Sequence, residues 1–150
     1  MSSIKYFLQF FIILIFFIIF KVIGLKFASN ISSKIFTLIG PFFRSKRLIK
    51  ENIQKAIPDL QSSEIEKIIS NMWSNYGRIL SEYVFIKEFR ESKSKSVFYV
   101  EGQEILDEIK KNGEPVIFVS GHFNNFELMA MHIEKSGINL AAIYRPLNNI

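Results

Sequence analysis

The chain has 150 residues, which is enough for one domain, and 49% of them are hydrophobic, including 16 Phe. The net charge of +5 comes from 19 basic and 14 acidic residues, and there is no cysteine. The lack of cysteine excludes disulfides, thiolate metal sites and cysteine nucleophiles within this chain. The positive charge suits an anionic membrane surface or substrates carrying phosphate or carboxylate. Nucleic acid is the competing partner, but no nucleic-acid-binding motif accompanies the charge, so we expect none.

The first 27 residues predict a membrane anchor. Residues 6–20 carry no charge, and Gln9 is the one polar side chain among them. This span is marginal for a helix that crosses a bilayer, which takes about 20 residues. A cleaved signal peptide is the main alternative, although no A-x-A site follows, and a buried or interfacial helix is a second. Because Lys5 alone precedes the span and many basic residues follow it, the positive-inside rule places the rest of the chain in the cytoplasm.

Residues 28–96 predict a basic and helical region. A second apolar patch, residues 35–43, is interrupted by Gly40 and Pro41, and a helix is expected over residues 44–57. The basic side chains of that helix suit either solvent or anionic lipid head groups. A longer helix should begin at Ser62 or Ser63 as the N-cap, and its apolar residues recur at helical spacing, which predicts core packing. Residues 90–96 are expected to be a polar linker.

Residues 97–150 predict the first part of an α/β domain. Apolar runs at residues 97–100, 115–120 and 140–144 are expected to be strands, with helices over 103–111 and 124–136 between them. Asn112-Gly113 and Gly137 are the expected helix stops. Strand, helix and strand would form a right-handed βαβ unit with parallel strands. Active sites of such sheets lie beyond the carboxyl ends of the strands, where both His122 and Arg145 fall.

The segment from Ser120 to Glu127, with sequence SGHFNNFE, carries the candidate chemistry. Glu127 is five residues after His122 and is expected in the first helical turn. An imidazole near a carboxylate can act as a general base on a hydroxyl. Each residue also has an ordinary interpretation. His122 could be structural, and Glu127 could simply favour the helix N-terminus.

Three further polar residues, Asn125, Arg145 and His132, also have ordinary interpretations. Asn125, with Asn124 before it, could serve as a helix N-cap. Arg145 could be an ordinary surface charge. His132 is expected to face the packing surface of its helix and to lie outside the site.

These motifs together resemble the bacterial lipid A biosynthesis acyltransferases, the lauroyl/myristoyl transferase family. That family has an N-terminal anchor, a G-H-F-x-N-x-E box and a Y-R-P box. The boxes match residues 121–127 and Tyr144, Arg145 and Pro146 here. The upstream run of residues 71–78, with Glu82 beyond it, is similar to the helical segment that precedes the family's core. The resemblance covers essentially the whole chain.

The resemblance implies a role for each matching residue. His122 would be the general base that takes the proton of the acceptor hydroxyl, and Glu127 would hold the imidazole tautomer and stabilise its cation. Arg145 would grip a phosphate of the lipid or of the acyl donor, and Asn125 would help to shape the site. No metal and no cofactor is implied. The hydroxyl would attack the thioester directly, without a covalent acyl-enzyme.

The function implied by the resemblance is O-acyl transfer at the cytoplasmic side of a bacterial inner membrane. The donor would be acyl carrier protein carrying an acyl thioester, or acyl-CoA, and the acceptor would be a hydroxyl of a lipid A precursor. Another glycolipid, such as a mannosylated phosphatidylinositol, is the alternative acceptor. Because family members are longer than this chain, we also expect a truncated catalytic core. An inactive membrane-anchored fragment or interaction module is therefore the alternative from a different class.

Overall fold

The structure is a computed structural model that describes residues 2–91 and 99–143. Its α-helices run in chain order as α1 Ser2–Ile23, α2 Leu25–Ile39, α3 Lys46–Ala56, α4 Ser62–Glu82, α5 Ile86–Glu91, α6 Gln103–Asn112 and α7 Glu127–Lys135. Short 3-10 turns follow α2 at Gly40–Phe42 and α4 at Tyr83–Phe85. These elements divide into two compact units. One comprises Phe7–Phe85, and the other comprises the described residues on either side of it.

Helix α1 is apolar on all sides, and most of its large hydrophobic side chains are exposed. The segment Ile4–Ile23 is long and apolar enough to cross a membrane, by length and composition alone. The apolar helix predicted for this part of the sequence is therefore present. Because a signal sequence near an N-terminus passes the same test, this is weak evidence for an anchor.

Helices α2 and α4 pack closely because small residues line their contact. Ala28, Ser32 and Ser33 are buried on α2, and Gly77 and Ser81 are buried on α4. A Cβ atom added to Gly77 would lie 2.3 Å from the carbonyl oxygen of Ser32, so the approach requires glycine.

Polar contacts fix the register of the same pair. The hydroxyls of Ser33 and Ser74 lie 2.7 Å apart. The Arg78 guanidinium donates hydrogen bonds of 3.2 Å to Ser29 Oγ and to Asn30 Oδ1. The two helices thus join through polar and small side chains instead of a broad apolar seam.

The apolar core of this unit lies between α3 and α4. Ile49 of α3 is buried with Ile65, Ile69 and Trp73 of α4. The predicted apolar stripe of α4 therefore does contribute core residues, although Ile68 and Tyr76 on the same helix are exposed. Beside this core, α2 ends at Gly40, where a Cβ would overlap the Trp73 indole.

The ends of α3 and α4 show which capping predictions hold. Helix α3 lies within the predicted residues 44–57, begins after the N-cap Ser45 and ends before Pro58. The prediction that Ser62 or Ser63 caps α4 is wrong, because the N-cap is Gln61. The Glu64 carboxylate accepts a hydrogen bond of 2.8 Å from the Gln61 backbone N–H, and this reciprocal capping box starts the helix earlier.

The predicted α/β fold class is wrong for the residues that the structure describes, which are helical or irregular and contain no strand. Residues 115–120, expected to be a buried strand, leave Ile117 and Val119 about nine-tenths exposed, at 91% and 90%. Residues 115–118 and 138–141 line a common cavity of about 550 Å³ instead of forming a ladder. An apolar run becomes a strand only when a neighbouring backbone satisfies its N–H and C=O groups, and here none does so. Residues 97, 98 and 144 of the other expected strands lie outside the described ranges.

The predicted helices of this unit are present. Helix α6 ends at Gly113, whose φ of 68° is the left-handed conformation that terminates helices. Helix α7 is shorter than the predicted 124–136, and Gly137, with φ of 83°, follows it. Most of the expected linker, residues 92–96, lies outside the described part of the chain.

Candidate functional site

The candidate site lies where an irregular extended segment meets α7. The turn between them includes Asn124, whose φ of +46° is in the left-handed region that Asn tolerates better than most residues. The carbonyl oxygens of Asn125 and Phe126 accept the N–H groups of Leu128 and Met129, each at 3.1 Å. These bonds close the first turn, so Glu127 is the first residue of α7, as the sequence predicted.

His122 is exposed in the segment before this turn. Its imidazole contacts the ring of Phe126, with ring centroids 4.4 Å apart and planes inclined by 63°. This edge-on contact restrains the imidazole orientation from one side and leaves the ring open to solvent. Such an imidazole is accessible to a substrate hydroxyl.

Glu127 is also exposed, at the N-terminus of α7. The helix macrodipole favours a negative charge there. Among the contacts between described residues, no hydrogen bond or ion pair joins Glu127 directly to His122. The structure therefore places the two predicted residues on either side of one turn without pairing them.

Of the other predicted site residues, Asn125 lies within the described part of the chain and Arg145 does not. Asn125 is half-buried in the turn, and its part in shaping the site stays a prediction. Within the described ranges, no group of three or more His, Asp and Glu side chains is placed to hold a metal ion.

Contacts that sequence reasoning missed hold α7 against its neighbours. His132 Nε2 lies 2.6 Å from Gln103 Oε1 of α6, so His132 does face a packing surface. Lys110 of α6 donates a hydrogen bond of 3.1 Å to the carbonyl oxygen of Ser136. Arg90 of α5 pairs with Glu134 at 2.5 Å. Both of these side chains are about half exposed, so we expect the pair to contribute at most about 1 kcal/mol.

Comparisons with known proteins show which protein family the chain belongs to. The whole chain, residues 1–150, matches the family described as bacterial lipid A biosynthesis acyltransferase. The chain belongs to this family. A relative named lipid A biosynthesis acyltransferase 2, from Shigella flexneri, is 29% identical over 129 residues, which are 83% of this chain. The family resemblance inferred from the two boxes is thereby confirmed.

The chain matches only part of this longer relative from the lipid A acyltransferase family. The matched region is 40% of the length of the Shigella flexneri protein. No solved structure matches the chain significantly.

Proposed function

We propose that the protein transfers a fatty acyl chain from an acyl thioester to a hydroxyl of a lipid A precursor. The observation that carries the proposal is the match of the entire chain to the lipid A acyltransferase family, with the His122 and Glu127 positions of its box intact. The donor would be acyl carrier protein or acyl-CoA, and the acceptor a phosphorylated glycolipid at the cytoplasmic face of a bacterial inner membrane. The net charge of +5 supports docking of an acidic carrier protein and of an anionic acceptor.

In this reaction His122 is the general base. It removes the proton of the acceptor hydroxyl as the oxygen attacks the thioester carbonyl carbon. The carbonyl-to-sulfur bond then breaks, and the thiol leaves with a proton. The exposure of His122 supports this role, because a base must reach its substrate before water is excluded.

Glu127 stabilises the imidazolium that forms on His122. For this the carboxylate must approach the imidazole across the turn that separates the two exposed residues. Such catalytic hydrogen bonds often tighten only when substrate binds. Asn125 shapes the turn, and Arg145 binds a phosphate of donor or acceptor.

The test is transfer of a labelled acyl chain from acyl carrier protein thioester to a lipid A precursor by the full-length protein in detergent. His122→Ala should lower turnover by about a hundred- to ten-thousandfold, the usual cost of losing a general base. Glu127→Gln should lower it comparably, and the double variant should be scarcely slower, because the two residues act as a unit.

The chain offers a matched control, since His132 is its second histidine. His132→Gln keeps a polar partner for Gln103 and should retain near-normal turnover. Near-normal turnover of His122→Ala would exclude the proposed base. Normal transfer to a different glycolipid, with none to the lipid A precursor, would replace the proposed acceptor and keep the chemistry.

A further inference from the structure

Helix α2 leaves one face without a covering element among the described residues. Phe27, Ile31 and Leu38 are exposed by 66%, 44% and 74%. At about 100° per residue they lie within an arc of about 40°, so they form one stripe along the helix. The opposite face carries the buried residues Ala28, Ser32 and Ser33 that contact α4. We call the exposed residues Phe27, Ile31 and Leu38 the α2 stripe.

The α2 stripe continues into the 3-10 turn that follows the helix. Phe42 and Phe43 are exposed by 86% and 74%. Helix α2 has 15 residues and is about 22 Å long. The apolar face is thus longer than the scattered single residues that ordinary protein surfaces expose.

The charge around this face is of one sign. The first 50 residues contain no Asp or Glu. The basic residues between residues 21 and 50 are Lys21, in the last turn of α1, and Lys26, Lys34, Arg44, Lys46, Arg47 and Lys50 beyond it. Lys34 lies about 20° beyond the edge of that arc, where a long side chain can lie along an apolar surface and keep its ammonium in water. An apolar face bordered by cations matches an anionic lipid surface.

The position of α2 along the chain gives the second argument. Helix α1 ends at Ile23, and α2 begins at Leu25. Gly24 between them has φ of 81°, so the backbone turns at this point. If α1 crosses the bilayer, its end emerges at the head groups, and α2 starts there.

We propose that α2 lies in the plane of an anionic membrane surface, with the α2 stripe and Phe42 in the head-group boundary and Arg44 and Arg47 at lipid phosphates. The opposite face of α2 then carries α4, and the rest of the unit, away from the bilayer. Lys46 and Lys50 contribute less, because both pair closely with Glu66. Arg47 meets Glu51 at 3.7 Å, but its side chain is 87% exposed, so this loose pair leaves it accessible to lipid. This inference does not depend on the proposed chemistry.

The experiment exploits the absence of cysteine from this chain. The full-length protein, with any cysteine beyond this chain changed to Ser, carries Ile31→Cys, Leu38→Cys or Asn71→Cys. Each is labelled with an environment-sensitive fluorophore and reconstituted in phosphatidylethanolamine–phosphatidylglycerol vesicles. Asn71 is the control. It is exposed, and it lies on α4, the helix that packs against the face of α2 opposite the α2 stripe.

Lipids brominated on the acyl chain should quench the labels at positions 31 and 38 strongly and leave the label at position 71 nearly unaffected. A blue-shifted label at position 31 or 38 that brominated lipid does not quench would mean that protein, either more of this chain or a second copy, covers the stripe. That result would overturn the proposal, as would equal quenching at all three positions.

A charge comparison tests the lipid preference. Arg44→Gln/Arg47→Gln should reduce quenching at position 38 in these vesicles, whereas Lys55→Gln/Lys67→Gln removes the same charge elsewhere and should not. In phosphatidylcholine vesicles the two pairs should behave alike. Equal loss from both pairs in anionic vesicles would overturn the assignment of Arg44 and Arg47 to lipid phosphates.

Discussion

Gly77 is the residue at which α4 approaches the α2 backbone, and it yields a stability prediction. In Gly77→Ala, the added methyl would lie 2.3 Å from the Ser32 carbonyl oxygen, so one helix must shift. Overpacking of this kind typically costs about 1–3 kcal/mol, although Ala is otherwise the better helix former. We expect a lower unfolding temperature, measured by circular dichroism in detergent.

Ser70→Ala is the matched control for Gly77→Ala. Ser70 is exposed on the same helix, so the change tests helix propensity without the close contact. Its unfolding temperature should be unchanged or slightly higher. Equal stability of Gly77→Ala and the parent protein would mean that α2 and α4 are further apart than described.

At the candidate site, the sequence predicted which secondary-structure element holds a residue better than it predicted which residues touch. The helical pattern that begins at Phe126 predicted Glu127 in the first helical turn, because helix signals are local. The Phe126 ring against His122 and the Gln103–His132 contact were missed. The second of these joins residues 29 positions apart, and no local pattern specifies such a pair.

Between elements, Glu66 of α4 links to α3 through two lysines. The Lys46 ammonium, 2.7 Å away, and that of Lys50 hold the pKa of the Glu66 carboxyl below its usual value. The pKa of the Glu66 carboxyl is thus lower in the folded protein than in the unfolded protein. The ion pairs therefore stabilise the folded protein fully at pH values above the ordinary carboxyl pKa, and this stabilisation is lost as the pH falls through the lowered pKa. Glu66→Gln should therefore lower the unfolding temperature near neutral pH and have no effect in strong acid.

The expected effect of Glu66→Gln is small, because the carboxylate is exposed to water. High salt should reduce it further. Asp59→Asn removes the same charge from the exposed connection between α3 and α4 and serves as control. An effect of Glu66→Gln that persists unchanged into strong acid would show that lost packing, not charge, is responsible.

The helices and the expected strand differ in whether nearby residues are enough to predict them. Helices α3, α4 and α6 were predicted from periodicity and from breakers such as Pro58 and Gly113, and they formed. The strand over residues 115–120 was predicted from the same kind of apolar run and did not form. A strand is completed by hydrogen bonds from a distant segment, so its sequence alone does not determine it.

At the scale of the whole molecule, α1 yields a prediction of membrane topology. Its large apolar side chains are exposed, and the segment Ile4–Ile23 is long and apolar enough to cross a membrane. If the segment crosses a membrane, the charge asymmetry, with Lys5 before the span and seven basic residues between residues 21 and 50, predicts that its beginning lies outside the cytoplasm. The candidate site would then be on the side where acyl carrier protein and acyl-CoA occur.

Cysteine accessibility tests this topology in the full-length protein made free of other cysteines. Ile4→Cys, at the exposed beginning of α1, should react with a membrane-impermeant maleimide in intact spheroplasts. Asn71→Cys, exposed on α4, should react only after lysis. The orientation follows from the cost of moving the basic residues after α1 across the membrane, which far exceeds that of moving Lys5. Labelling of Asn71→Cys in intact spheroplasts would reverse the topology. If Ile4→Cys is not labelled in the mature protein even after lysis, α1 is a cleaved signal sequence. If both positions are labelled only after lysis, α1 does not cross the membrane.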